Sequence, residues 1–295
     1  MHGWLNIYKP RGISSAKLVA VIKNMLDVNK IGHTGTLDVE AEGVLPLACG
    51  EATKLVNIVI NSRKQYIYKI SLGIKTSTAD ASGEVLAKLD FVPSLKNCKS
   101  ICSSYIGVIE QRPHSYSAIK LSGIRSYKLA RANKVVEHNI RNVNIYQIRV
   151  MKYDANMKTV VYYVECSKGT YVRSLCEDMA SSMLSLGFVS ELQRIKVSIF
   201  SLYNIIDYSK LMKLDTVSAK KFLCDSLISI EKILYNIPVI DISQDFVQKI
   251  RFGQKCYFDI KQNCDTVWAR YGDQVIAIGN IRDGVFSSSR VFNNY

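Results

Sequence analysis

Strand-like and helix-like segments follow one another irregularly along this 295-residue chain, with no repeating strand–helix–strand unit and no glycine-rich nucleotide-binding turn. That pattern argues against a doubly wound parallel sheet and for an α+β fold. Residues 14–27 open on Ser14-Ser15, a plausible N-cap, and then place Leu18, Val19, Ile22, Met25 and Leu26 at helical intervals. Glu51 to Ile60 reads as a second short helix, and Pro93 opens a third that runs to about Tyr105. Residues 66–72 alternate Tyr66, Tyr68, Ile70 and Leu72 against Ile67, Lys69 and Ser71, as a half-buried strand does. Thr159 to Cys166 is rich in β-branched and aromatic residues and reads as another strand. Asp80-Ala81-Ser82-Gly83 is a turn signal. A helix follows Thr170, with Val172, Leu175, Met179, Met183 and Leu186 on one face and Gly187 as its stop. Beyond Ile237-Pro238, short apolar segments are separated by Gly, Asn and Asp. The expected division is therefore 1–237 for a main domain and 238–295 for a small β-rich one.

The formal net charge is +14. Such an excess favours a polyanionic partner, because binding phosphates releases their counterions. The excess is local. The last 55 residues hold seven Lys/Arg against six Asp, whereas residues 115–145 carry Lys120, Arg125, Lys128, Arg131, Lys134 and Arg141 against Glu137 alone. A concentrated basic segment points to nucleic acid better than a diffuse one. The N-terminus lacks the charged and apolar regions of a signal peptide, and no run of about 18 apolar residues could span a membrane, so a cytoplasmic location is expected. Eight cysteines are scattered without a disulfide framework and read as buried small hydrophobes. The pair Cys98 and Cys102 has no nearby His or second pair, so no metal site is expected.

One carboxylate stands in the polar loop Gly32-His33-Thr34-Gly35-Thr36-Leu37-Asp38. A lone Asp in such a loop is ordinarily a turn or cap residue. Other segments change that reading: Lys9-Pro10-Arg11-Gly12-Ile13-Ser14-Ser15, Lys64-Gln65-Tyr66, and Ser167-Lys168-Gly169-Thr170-Tyr171-Val172-Arg173. Two further blocks join them, Gln111-Arg112-Pro113-His114-Ser115-Tyr116-Ser117-Ala118-Ile119-Lys120 and Leu192-Gln193-Arg194. Together, in this order and spacing, they resemble the TruB family of tRNA pseudouridine synthases, closely over residues 3 to about 200 and weakly in the tail.

The resemblance implies a mixed, mostly antiparallel sheet flanked by helices, with a PUA-like RNA-binding module at the C-terminus. It implies a stand-alone, bacterial-type isomerase, monomeric and free of cofactor, metal and guide RNA. The substrate would be the T-arm and elbow of tRNA, where the T-loop uridine at tRNA position 55 becomes pseudouridine. The nucleotide is flipped out, the glycosidic bond breaks, the base turns, and a carbon–carbon bond rejoins it to the ribose. Asp38 would carry the catalysis, as nucleophile, proton acceptor or stabiliser of the sugar cation. Arg173 would face it and hold it ionised. Tyr66 would stack on the uracil and help move a proton, with Tyr171 at the pocket wall. His33, Lys9 and Lys64 would contact RNA. Lys120, Arg125, Lys128, Arg131 and Arg141 would belong to a thumb-like insertion, residues 115–145, closing over the T-stem. The chain departs from the family pattern at Val39-Glu40-Ala41-Glu42, where Pro-Leu-Ala-Thr is usual, and at His114, where a second Pro is usual. Two rival readings use the same motifs: a non-catalytic tRNA-binding or folding module, and a guide-RNA-dependent member acting on ribosomal RNA. Intact Asp38, Tyr66 and Arg173 disfavour the first, and the thumb-like block disfavours the second.

Overall fold

The alternation across residues 66–72 does form a strand, Lys64–Leu72, and it lies near the middle of a ten-stranded sheet. The computed structural model describes residues 1–117, 119–121, 123–132, 136 and 138–293, without the side chains of Lys120, Tyr127, Lys128 and Arg131. Lys134 and Glu137 lie outside the described residues. The main path of the sheet runs Ile206–Asp207, Gly3–Lys9, Ala41–Cys49, Gly187–Val197, Lys64–Leu72, Thr159–Cys166, Arg141–Asp154, Gly107–Gln111. Two of these pairings are parallel, Gly3–Lys9 with Ile206–Asp207 and Ala41–Cys49 with Gly187–Val197; the others are antiparallel. The fold is α+β, as expected.

Alternate residues of the Lys64–Leu72 strand point into one core. There Tyr68 stacks on Tyr162 at 5.5 Å and meets Leu175, Cys176 and Met179 of the helix Val172–Ser182. The helix Ser15–Leu26 covers another part of the sheet. Its Leu18 and Ile22 are fully buried with Leu5, Ile7, Leu45 and Leu47, each such side chain contributing about 2 kcal/mol. Ser14 caps that helix by accepting from the Lys17 amide at 3.1 Å. Ser15, the next residue, bonds both the amide and the carbonyl of Leu37 at 2.9 Å, so the start of this helix grips the loop that carries Asp38.

A second sheet of five strands spans Val239–Asp241 to Val285–Val291. Its Trp268, Val275 and Ile278, together with Phe292, pack in one cluster with Trp4, Val44 and Phe200 of the first sheet. This part also contains a helix, Gln244–Arg251, that the β-rich expectation omitted. No helix among the described residues is long and apolar enough to cross a membrane.

The expected helix stop at Gly187 is corrected. The helix ends at Ser182, Leu184 takes a left-handed φ of 58° with its side chain exposed, and Gly187 opens a strand. That strand carries the block Leu192-Gln193-Arg194 beside both Ala41–Cys49 and Lys64–Leu72. The three-strand junction needs a glycine at position 43. Its φ is +107°, and a Cβ there would lie 2.2 Å from the Arg194 carbonyl oxygen. Gly43→Ala is expected to destabilise the protein by about 2–4 kcal/mol, read as a lower urea midpoint with an unchanged slope. An unchanged midpoint would contradict this packing.

Candidate active site

Residues 34–40 run between the strands Ile31–His33 and Ala41–Cys49, and this loop presents Asp38 beside Arg173. Three groups fix the loop from outside. Ser15 holds Leu37, the Gly12 amide donates to the Val39 carbonyl at 2.9 Å, and the Lys9 ammonium donates to the carbonyls of Ala41 (2.6 Å), Pro10 (2.9 Å) and Val39 (3.4 Å). Lys9 is fully buried, and burial pushes its ammonium down to about 8 against the pull of Asp38. The expectation that Lys9 contacts RNA is therefore corrected: its charge is engaged by loop carbonyls inside the protein.

Arg173 is the second residue of the helix Val172–Ser182 and is almost wholly buried. Its Nη2 lies 3.0 Å from the Asp38 carboxylate and donates to the Tyr116 carbonyl at 2.8 Å. Its Nη1 donates to Asp80 at 3.3 Å and to the Thr78 carbonyl at 3.1 Å. One guanidinium thus sits between two carboxylates and ties together four stretches of chain. The helix start that carries it is clamped in turn, since Gln111 and the Tyr171 backbone exchange hydrogen bonds of 2.7 and 3.1 Å. Burial pushes the Asp38 carboxyl above its ordinary range, and Arg173 and Lys9 counter that rise without cancelling it. Arg173 lowers the Asp38 pKa, as expected, but desolvation outweighs the ion pair and the net shift is upward.

Asp80 was legible in sequence only as a turn residue, and it is one. Its Oδ1 accepts from Thr78 Oγ1 and Ser82 Oγ, both at 2.6 Å, and from the Ser82 amide at 3.0 Å. Those bonds leave Oδ2 to face Arg173, which the sequence reading missed.

A cavity of about 360 Å³ joins Asp38, Tyr66, Tyr171, Arg173, Lys64 and Arg194. Tyr66 is buried, which raises its phenol pKa, and the charge of Arg194 opposes that rise without cancelling it. Lys64 reaches the cavity wall, but its ammonium donates to the Ile60 (2.5 Å) and Ser62 (2.6 Å) carbonyls. Burial pushes it down to about 8. His33 does not line this cavity. It is half-buried, accepts from the Gly35 amide at 3.3 Å, and is held below its ordinary pKa by burial and then by Arg194 and Arg125.

Arg125 is exposed on a hairpin with Lys120–Leu121, and Arg141 is exposed at the start of its strand. Glu40 and Glu42 line a different cavity, with Arg11, Lys69 and Gln193, and Glu40 pairs with Arg11 at 2.9 Å. Neither acid lines the cavity that holds Tyr66, although Glu40 also borders a small pocket with Asp38, Asp80 and Arg173. His114 supplies what a proline could not: its Nδ1 accepts the Tyr116 amide at 3.2 Å, and its ring lies over Tyr116 at 5.9 Å.

A family model described as TruB family pseudouridylate synthase (N terminal domain) matches residues 23–172. A tRNA pseudouridine synthase B of Rickettsia bellii (strain OSU 85-389) is 50% identical over 290 residues, covering 98% of each chain. The protein of that name in Rickettsia akari (strain Hartford) is 47% identical over 291 residues, again covering 98% of each. Among solved structures, a chain of a Cbf5-Nop10-Gar1 complex superposes with a TM-score of 0.71 at 24% identity, covering 98% of this chain and 84% of that one. That likeness speaks to the fold.

Proposed function

This chain belongs to the TruB family of pseudouridine synthases, and from that premise we propose that it converts the T-loop uridine of tRNA, position 55, to pseudouridine, acting alone and without a guide RNA. The observation that carries the proposal is the convergence of Asp38, Tyr66 and Arg173, drawn from three distant stretches of chain, on one cavity. Its volume is within the range of sites that enclose a small ligand. A uridine stacked in an RNA loop reaches such a cavity only after it is flipped out. Unstacking costs a few kcal/mol, offset by phosphate contacts along the basic surface and by stacking on Tyr66.

Inside, the Asp38 carboxylate meets the positive charge that grows on the ribose as the glycosidic bond stretches. Arg173 and the clamps on residues 37–41 hold it in place, so little reorganisation accompanies the step. Residues 1–237 form the catalytic part in this reading. Residues 238–295 form a PUA-like module that extends the RNA contact, and Arg125 and Arg141 steer the T-stem.

Purified protein and transcribed tRNA, with no other RNA present, test this proposal. Carbodiimide modification and primer extension are expected to show one pseudouridine, in the T-loop. A mark elsewhere, or none until a guide RNA is supplied, would contradict it.

A further inference from the structure

We propose that Arg194 is a second catalytic residue, whose guanidinium stabilises the negative charge that develops on the uracil ring as it leaves the ribose. This rests on the reading of the cavity as a uridine-isomerising site and supplies the half of the charge separation that Asp38 cannot meet.

Arg194 lies on the strand Gly187–Val197, opposite Tyr66 on one neighbour and Gly43 on the other. It is 1% exposed and lines the cavity together with Asp38 and Tyr66. Its Nε donates to the Val44 carbonyl at 2.8 Å and its Nη2 to the Gly35 carbonyl at 3.1 Å. Both partners are neutral. Among the described residues no carboxylate pairs with it, whereas Arg173 has two. A buried cation without a counter-charge carries a desolvation penalty. That penalty falls when a ligand brings negative charge into the cavity. The field of Arg194 also reaches its surroundings, since it depresses Lys9, Lys64 and His33, in each case after the larger effect of burial. Two further cations line the wall besides Arg173: Lys64 is engaged by two carbonyls, and Lys168 donates to the Asn61 side-chain oxygen at 2.8 Å.

The reaction needs such a group. When the N1–C1′ bond breaks heterolytically, both electrons leave with N1. The ring becomes a uracilate whose charge spreads over N1, O2 and O4, and the positive charge at C1′ is met by Asp38. The ring then turns, a C5 electron pair forms the bond to C1′, the C5 proton leaves to water, and N1 takes up a proton. Atoms and electrons balance without an outside reactant. A guanidinium, planar and always charged, interacts more strongly with the uracilate than with the neutral ring, which is the condition for accelerating the step.

The test uses the full chain and tRNA transcripts carrying either uridine or 5-fluorouridine at the target position. Consumption of the target nucleoside is followed under single turnover at saturating tRNA. Fluorine makes the ring a better leaving anion, so it substitutes for part of what Arg194 supplies. Arg194→Met is expected to slow the uridine substrate by a hundredfold or more, the 5-fluorouridine substrate by tenfold or less, and to leave tRNA affinity within threefold. Equal losses on both substrates would overturn the assignment. So would weaker binding with an unchanged saturated rate, the signature of a phosphate contact. Wild-type protein inactive on uridine would instead remove the reading of the cavity on which this one stands.

A second measurement does not depend on the variant folding. Wild-type protein is titrated calorimetrically with barbiturate, a uracil-like ring that is an anion at pH 7, and with uracil. Barbiturate is expected to bind at least tenfold tighter, and equal or weaker binding overturns the proposal.

Discussion

Asp38→Asn is expected to slow pseudouridine formation by at least about a thousandfold, or about 4 kcal/mol of barrier, while tRNA affinity stays within about tenfold. The amide keeps the size and planarity of the carboxylate. It cannot neutralise a sugar cation, form an ester at C1′, or accept a sugar proton, so every route open to Asp38 closes together. Affinity should survive because contacts to many phosphates supply it, and one carboxylate at the cavity adds nothing to that attraction. The fold should survive as well. Burial raises the Asp38 pKa, so its charge is held in place at some expense, and Arg173 keeps Asp80 as a partner. Single-turnover kinetics beside a gel-shift titration check this. A variant within tenfold of wild-type rate would remove Asp38 from the chemistry.

Arg173→Met is expected to damage both stability and activity. It leaves Asp38 and Asp80 facing a cavity from which their shared cation has gone, and it frees the carbonyls of Thr78 and Tyr116. Removing one partner from a buried ion pair costs about 3–5 kcal/mol. The sign with pH follows from linkage. Arg173 opposes the rise that burial imposes on Asp38, so without it the folded-state pKa of Asp38 stands further above its unfolded one. The folded state then binds more protons than the unfolded state in that window, and stability falls as pH rises through it. The deficit against wild type should therefore be largest at pH 7 and shrink as pH falls towards the ordinary carboxylate value of about 4. Urea denaturation across that range checks it. A deficit independent of pH would mean that Arg173 acts through packing alone.

The parts of the site that were legible in the sequence are those where a short motif and a local structure coincide. Asp38 lies in its glycine-flanked loop, Tyr66 on an alternating strand, and Arg173 just inside a helix start. The parts that were not legible depend on pairing between distant stretches. Asp80 satisfies the turn rule with one oxygen and reaches Arg173 with the other, and the turn rule speaks only of the first. Arg194 sits on a strand that local pattern hid, because Glu191 and Gln193 interrupt any apolar alternation and Gly187 imitates a helix stop. Its place becomes intelligible only once Gly43 is seen against its backbone. Lys9 misled for the opposite reason. A lysine before Pro-Arg-Gly looks like a surface cation, and only the folded loop reveals three carbonyls converging on its ammonium. The C-terminal helix Gln244–Arg251 was missed because it is brief and lies among turn residues.

The most direct measurement is tritium release from tRNA labelled at uracil C5, with purified protein and no other RNA. Forming the new carbon–carbon bond displaces that label from the target uridine and from no other. The account predicts release equivalent to one uridine per tRNA with the wild-type protein, and none with Asp38→Asn on the same time scale. Absence of release from a wild-type protein that still binds the tRNA would contradict it and leave a tRNA-binding module on the same fold.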